Sequence, residues 1–277
     1  MRTKYFLVAL LLVLIGGCQK KSENTTTGNP SMSMSMTSSS SNATAMNFKK
    51  FHFLDFINSP AFAFPAPASL TDSAGNIVIL TYNWVSIGEI EFKSTESEGA
   101  GEVDGSEIAF AGPYTIDLFS ATPSAIGSSV IPSAQIQRIK FKLKKTDVLP
   151  SAAPSGLSGK SIYISGQVAG HAFSYSTTEE SEVQISGPKS VALSQGKTLL
   201  LEVHSANIIK KINLSSINAA TEISESNRVI VANPCPGIDS SATDLFTCFR
   251  KGIESESNLG RDDDGNFRLD GSDEVVK

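Results

Sequence analysis

Three sets of residues have types and spacings that could do chemistry. Cys18 directly follows Leu14-Ile15-Gly16-Gly17 and precedes Gln19-Lys20-Lys21. A thiolate is the best side-chain nucleophile for accepting a lipid without an energy source, so a cysteine after small residues at the end of an apolar run points to covalent modification. Cys235 and Cys248 are the other two cysteines. The third set is Arg261-Asp262-Asp263-Asp264-Gly265-Asn266-Phe267-Arg268-Leu269-Asp270. Calcium loops place oxygens at alternate positions around a glycine turn, with an apolar anchor two residues after it. Asp262, Asp264 and Asn266 supply such oxygens, Gly265 the turn and Phe267 the anchor. In that register the first ligand position falls on Gly260, the twelfth falls on Gly271 and Glu274 comes too late. The set therefore reads either as a weak calcium site or as an acidic solvated tail. No Gly-x-Ser-x-Gly or His-Glu-x-x-His motif is present, and His52, His171 and His204 are scattered. No catalytic residue is expected, and beyond a possible weak calcium ion no cofactor.

The surroundings of Cys18 give it an address. Arg2 and Lys4 form a positive start, and Tyr5 to Ile15 is an apolar run of about ten residues, the length of an export signal and half that of a spanning helix. Gly16-Gly17-Cys18 resembles the lipobox of bacterial lipoproteins. That resemblance implies diacylglycerol transfer to the Cys18 thiol, cleavage before it and acylation of the new terminus. Two or three acyl chains anchor stably where one is marginal, at about 0.8 kcal/mol per buried methylene. Gln19 stands where an aspartate would signal inner-membrane retention, so the expected location is the outer membrane or cell surface. In an oxidising compartment Cys235 and Cys248 default to a disulfide. Zinc is the alternative, but the scattered histidines supply no visible partners for it.

The 23 basic and 28 acidic residues of the chain give a net charge of −5, and cleavage before Cys18 would remove Arg2 and Lys4. A mildly acidic protein is a poor partner for nucleic acid. Gln19 to Asn47 is dominated by Ser, Thr, Asn and Met, including Ser31-Met32-Ser33-Met34-Ser35-Met36. Such a composition cannot form a core and reads as a disordered tether; a row of thioethers could alternatively take copper(I). Phe48 to Phe64 carries six of the fifteen phenylalanines, and either docks on the domain or meets the membrane surface or a partner.

From Ala68 onward the chain reads as strands. Asn76–Leu80, Trp84–Phe92 and Tyr114–Phe119 are rich in β-branched and aromatic residues. Gln137–Lys144 alternates Ile139, Phe141 and Leu143 with Arg138, Lys140, Lys142 and Lys144, giving one core face and one basic ladder. The ladder is either an anionic-ligand patch or a solvated face whose lysines discourage edge pairing. Strands recur at Ser161–Val168, Ala172–Tyr175, Glu182–Ser186 and Thr198–Val203, with turn residues between them. That pattern predicts an antiparallel β-sandwich, immunoglobulin- or transthyretin-like. Ile208–Ala220 is expected to be a short helix and Arg228–Ala232 a short strand. The division is a signal peptide (1–17), the lipidated cysteine and tether (18–47), a Phe/Pro-rich segment (48–67), the sandwich (68–232) and a disulfide-closed acidic segment (233–277) that packs on the sandwich or trails from it.

Taken in order, the strands resemble the domain of unknown function 4382 family of exported lipoproteins. The similarity rests on Leu70-Thr71-Asp72, the strand Trp84–Phe92, Ile116-Asp117-Leu118, Ile131-Pro132 leading to Ile139-Lys140-Phe141, and Ile185-Ser186-Gly187-Pro188 followed by Gly196 to Val203. Ala134 and Ile136 replace that family's Gly and Tyr, and Val203-His204 replaces its Phe-Asp. The resemblance implies a fold and a cell-envelope setting, with no activity attached. The expected function is a non-enzymatic envelope module held at the membrane through Cys18, structural or binding a protein or glycan. The alternatives are a hydrolase of envelope polymers and a calcium-stabilised adhesin.

Overall fold

The computed structural model describes residues 31–38, 69–94, 108–120, 124–130, 135–192, 198–265 and 268–276. The strands are β1 (Ser31–Ser38), β2 (Ser69–Thr71), β3 (Ile77–Ser94), β4 (Ile108–Asp117), β5 (Ser124–Val130), β6 (Gln135–Leu143), β7 (Ile162–Val168), β8 (His171–Thr177), β9 (Glu182–Ala192), β10 (Thr198–Val203), β11 (Thr221–Ile223), β12 (Ser257–Asp262) and β13 (Glu274–Val275). Among the described residues there are also two short α-helices, α1 (Ser205–Lys211) and α2 (Leu245–Ser255), and a 3-10 turn at Ser155–Leu157.

These strands form two sheets, as expected of a sandwich. The smaller has the order β13-β12-β10-β1-β5; the larger runs β11-β8-β7-β3-β6-β9, with β2 and β4 also on β3. Pairing is antiparallel except at β1/β10 and β11/β8. Alternation dictates which faces meet. On β6, Ile139 and Phe141 are fully buried while Lys140 and Lys142, on either side of Phe141, lie on the outer face. The expected strands Asn76–Leu80 and Trp84–Phe92 are one long strand, β3, whose register shifts between Leu80 and Tyr82 and again between Ile87 and Glu89. A bulge of this kind bends a strand and raises its twist, which lets β3 pair with β7 along its first half and with β6 along its second.

Four sequence expectations differ from the structure. Ser31–Ser38, read as part of the tether, is strand β1, inserted between β10 and β5 with Met34 opposite Leu199 and Gly127. Its Ser/Met composition carries almost no strand propensity, and two flanking strands supply the pairing that propensity does not. The helix expected over Ile208–Ala220 is α1 alone, because Ile212 is extended and the Asn213 amide donates to Pro234 O. Arg228–Ala232 makes only an isolated bridge at Ile230, beside Val229 at φ 53°; a left-handed β-branched residue interrupts a ladder.

Most consequential is the C-terminal segment, which is part of the sandwich itself. β12 pairs with β10 over six residues, and α2 buries Leu245, Phe246, Phe249 and Ile253 in the common core. Asp244 caps α2, accepting from the Thr247 amide at 2.7 Å, an arrangement that satisfies one of the helix's orphan donors. Cys235 and Cys248 are disulfide-bonded, with Cα atoms 5.8 Å apart. The bond ties the turn before α2 to the helix and stabilises by about 3 kcal/mol for a loop of this length.

Candidate functional site

The acidic segment after β12 is a folded cover on the smaller sheet. In β10 and β12 one face carries Leu200 and Glu202 opposite Gly260 and Asn258. Leu200 and Glu202 are buried at 0% and 1% exposure, so something must lie over them. Leu269 does: a β-carbon added at Gly260 would meet its Cδ2 at 2.8 Å, and its backbone amide donates to Glu202 Oε2 at 3.3 Å. A glycine at 260 is therefore required by this close approach. The composition suggested a solvated tail, but the turn is clamped to the sheet.

Carboxylates shape that turn. Asp262 is buried and accepts from the Gly265 amide at 2.7 Å, closing a turn in which Gly265 takes φ 75°. Asp273 accepts from the amides of Asp263 (2.8 Å) and Asp270 (2.8 Å), and Asp264 accepts from the Ser272 hydroxyl at 3.2 Å. Asp263 points the other way and forms a two-point pair with Arg261, at 2.7 and 3.1 Å. Arg261 also reaches Glu274 at 2.9 Å and the Ala192 carbonyl. Its guanidinium is held above its ordinary pKa chiefly by the hydrogen bond to Asp263. Successive residues at a strand end alternate sides, and this separates Asp263 from its two neighbours.

The result is one cluster: carboxylate oxygens of Asp262, Asp264 and Asp273 lie within 4.8 Å of one another. Asp262 and Asp264 were expected in a cation site; Asn266 lies outside the described residues. Asp273 is the member that the sequence reading missed. Counted from Asp262 instead of Gly260, the segment places Asp264, Asn266, Asp270 and Asp273 third, fifth, ninth and twelfth, positions that carry oxygens in a twelve-residue calcium loop. Gly265 is then fourth, where such loops have their glycine sixth, so the turn is not that of an EF-hand. Three carboxylates are hard oxygen donors and suit calcium in type.

The other candidates are arranged as structure. Lys140 pairs with Glu182 at 2.7 Å, and Lys142 with Glu89 and Glu91 at 2.7 Å each. The basic ladder of β6 is thus met by glutamates on β3 and β9, and the hydrogen bonds to Glu89 and then Glu91 raise the Lys142 pKa. This is a solvated face of alternating charge, consistent with the register of cross-strand pairs. His171 starts β8 and is exposed. His204 follows β10, with Nε2 3.6 Å from Glu202 Oε2. Trp84 is buried while Tyr82 is exposed, so no Tyr82/Trp84 surface platform forms. Cys18 and Phe48–Phe64 lie outside the described residues. Among the described residues no helix is long and apolar enough to cross a membrane.

Comparison with protein-family models, with curated proteins and with solved structures finds no match to this chain.

Proposed function

We propose that this chain is a lipid-anchored cell-envelope protein, at the outer membrane or cell surface, whose β-sandwich is a non-enzymatic module, structural or binding a protein or glycan partner. The observation that carries the non-enzymatic part is the use made of the buried carboxylates among the described residues. Asp72, Glu202, Asp244 and Asp262 each accept at least one backbone amide that closes a turn, caps a helix or clamps a loop. Carboxylates that close turns, cap a helix and clamp a loop serve the fold, and this use of them supports the non-enzymatic reading. The lipobox-like stretch ending at Cys18 supports the anchor. By intact mass the unsubstituted protein is expected to begin at Cys18 and carry acyl chains, and the Cys18→Ser variant to carry none. An unsubstituted protein of acyl-free mass would remove the anchor.

A second reading, calcium stabilisation, is favoured by the convergence of Asp262, Asp264 and Asp273. A ligand that binds only the folded state at ten times its dissociation constant stabilises by about 1.4 kcal/mol. For a domain of this size that raises the melting midpoint by about 3–5 °C. The expected result is such a rise in millimolar Ca²⁺ relative to chelator, absent in Asp273→Asn. Equal midpoints in the unsubstituted protein would discard calcium.

A further inference from the structure

The position of β1 fixes how the domain stands relative to its anchor. Ser33 pairs with Thr198, Thr198 with Asp262, Ser31 with Val130 and Arg261 with Glu274. The start of β1, the start of β10, the end of β5 and the β12–β13 turn therefore share one end of the smaller sheet. Val203 and Ser257 pair at the opposite end, where α1 begins and α2 has just finished. Only Gln19 to Pro30, twelve residues, separate Cys18 from β1. Twelve residues reach at most about 40 Å even when fully extended. Were β2 the first element of the fold, the intervening 50 residues from Gln19 to Ala68 would reach about 170 Å, and no end of the domain would be favoured.

We infer that the end of the smaller sheet carrying the β12–β13 turn faces the lipid surface, with β1 holding it there on a twelve-residue leash. The inference rests on acylation of Cys18. The facing turn is acidic, with Asp262, Asp263, Asp264, Asp270, Asp273 and Glu274 against Arg261 and Arg268. Adhesion to anionic headgroups is therefore not what brings it close; the leash is.

Fluorescence energy transfer tests this on the mature acylated chain in phosphatidylcholine vesicles carrying a headgroup-linked acceptor. Single dyes are placed by Gly271→Cys, where an added β-carbon meets nothing within 4 Å, and by Glu254→Cys, exposed near the end of α2. Six strand residues separate the ends by about 20 Å, and transfer is expected to be at least about twofold greater from position 271. Met34→Pro, which removes a β1 amide flanked by strands on both sides, is expected to bring the ratio toward one by lengthening the leash. Equal or reversed transfer from protein whose intact mass shows the acyl chains overturns the orientation alone. An intact mass without acyl chains overturns the anchor and the orientation with it.

Discussion

Phe249→Ala is expected to lower the unfolding free energy by about 3–5 kcal/mol. Phe249 is fully buried on α2, with its ring stacked 4.9 Å from Tyr175 and tilted 6.2 Å from Phe173. Tyr175 in turn lies 5.6 Å from Phe246. This cluster joins α2 to β8, so it couples the C-terminal segment to the larger sheet. Truncation loses the transfer free energy of the ring and leaves a cavity lined by rigid aromatics and strand backbone, a setting that collapses little. Pair geometry adds about 0.5–1.5 kcal/mol beyond area. The check is urea unfolding: a lower midpoint at unchanged slope reports lost stability without a change in the surface exposed. Phe119→Ala is the comparison, since Phe119 is 37% exposed and such surface changes usually stay within about 0.5 kcal/mol. Similar small losses for both would show that α2 does not share the core.

The parts of the fold that are legible in the sequence are those whose local pattern agrees with their environment. From Arg138 to Leu143 β6 alternates because one face is core and the other is solvated; β10 reads as the run Leu199-Leu200-Leu201 because both its faces are covered. α2 is harder to read. Its cap Asp244 and the spacing of Phe246, Phe249 and Ile253 are present in the sequence, but the disulfide and the acidic residues around it suggest a separate closed segment. β1 has no local signal, since its strand form comes from the pairing that β10 and β5 offer.

The candidate site divides in the same way. Asp262 and Asp264 are visible at once as alternating acids. Asp273 joins them because β13 pairs back on β12 through Arg261 and Glu274, and Glu202 becomes a clamp because Gly260 leaves room for Leu269. Contacts made by register and by an absent β-carbon cannot be read from residue types alone.

Asp72→Ala is the second large change, with an expected loss of about 3–5 kcal/mol from four hydrogen bonds, one of them to a buried amide. Asp72 Oδ1 accepts from the amides of Ala74 (2.9 Å) and Asn76 (2.8 Å), which shapes the turn from β2 into β3. Oδ2 accepts from Asn76 Nδ2 at 2.9 Å and, across 142 residues of sequence, from the Leu214 amide at 2.9 Å. That last bond is buried and holds the chain just after α1 against the turn, beside the bond from the Ser73 amide to Ile212 O. Alanine leaves the Leu214 donor without a partner in a site closed to water, so its whole desolvation penalty is felt. Asn76, which also reaches Ser215 Oγ at 3.0 Å, would lose its anchor as well. Asp72→Asn separates the two halves. Its carbonyl can still accept the turn amides, whereas its amide nitrogen cannot accept from Leu214. About half the loss is then expected, with faster hydrogen exchange confined to Leu214 and its neighbours. If Asp72→Asn matched the unsubstituted protein in both stability and exchange, the Leu214 bond would contribute nothing, and the role of Asp72 would reduce to that of an ordinary turn residue.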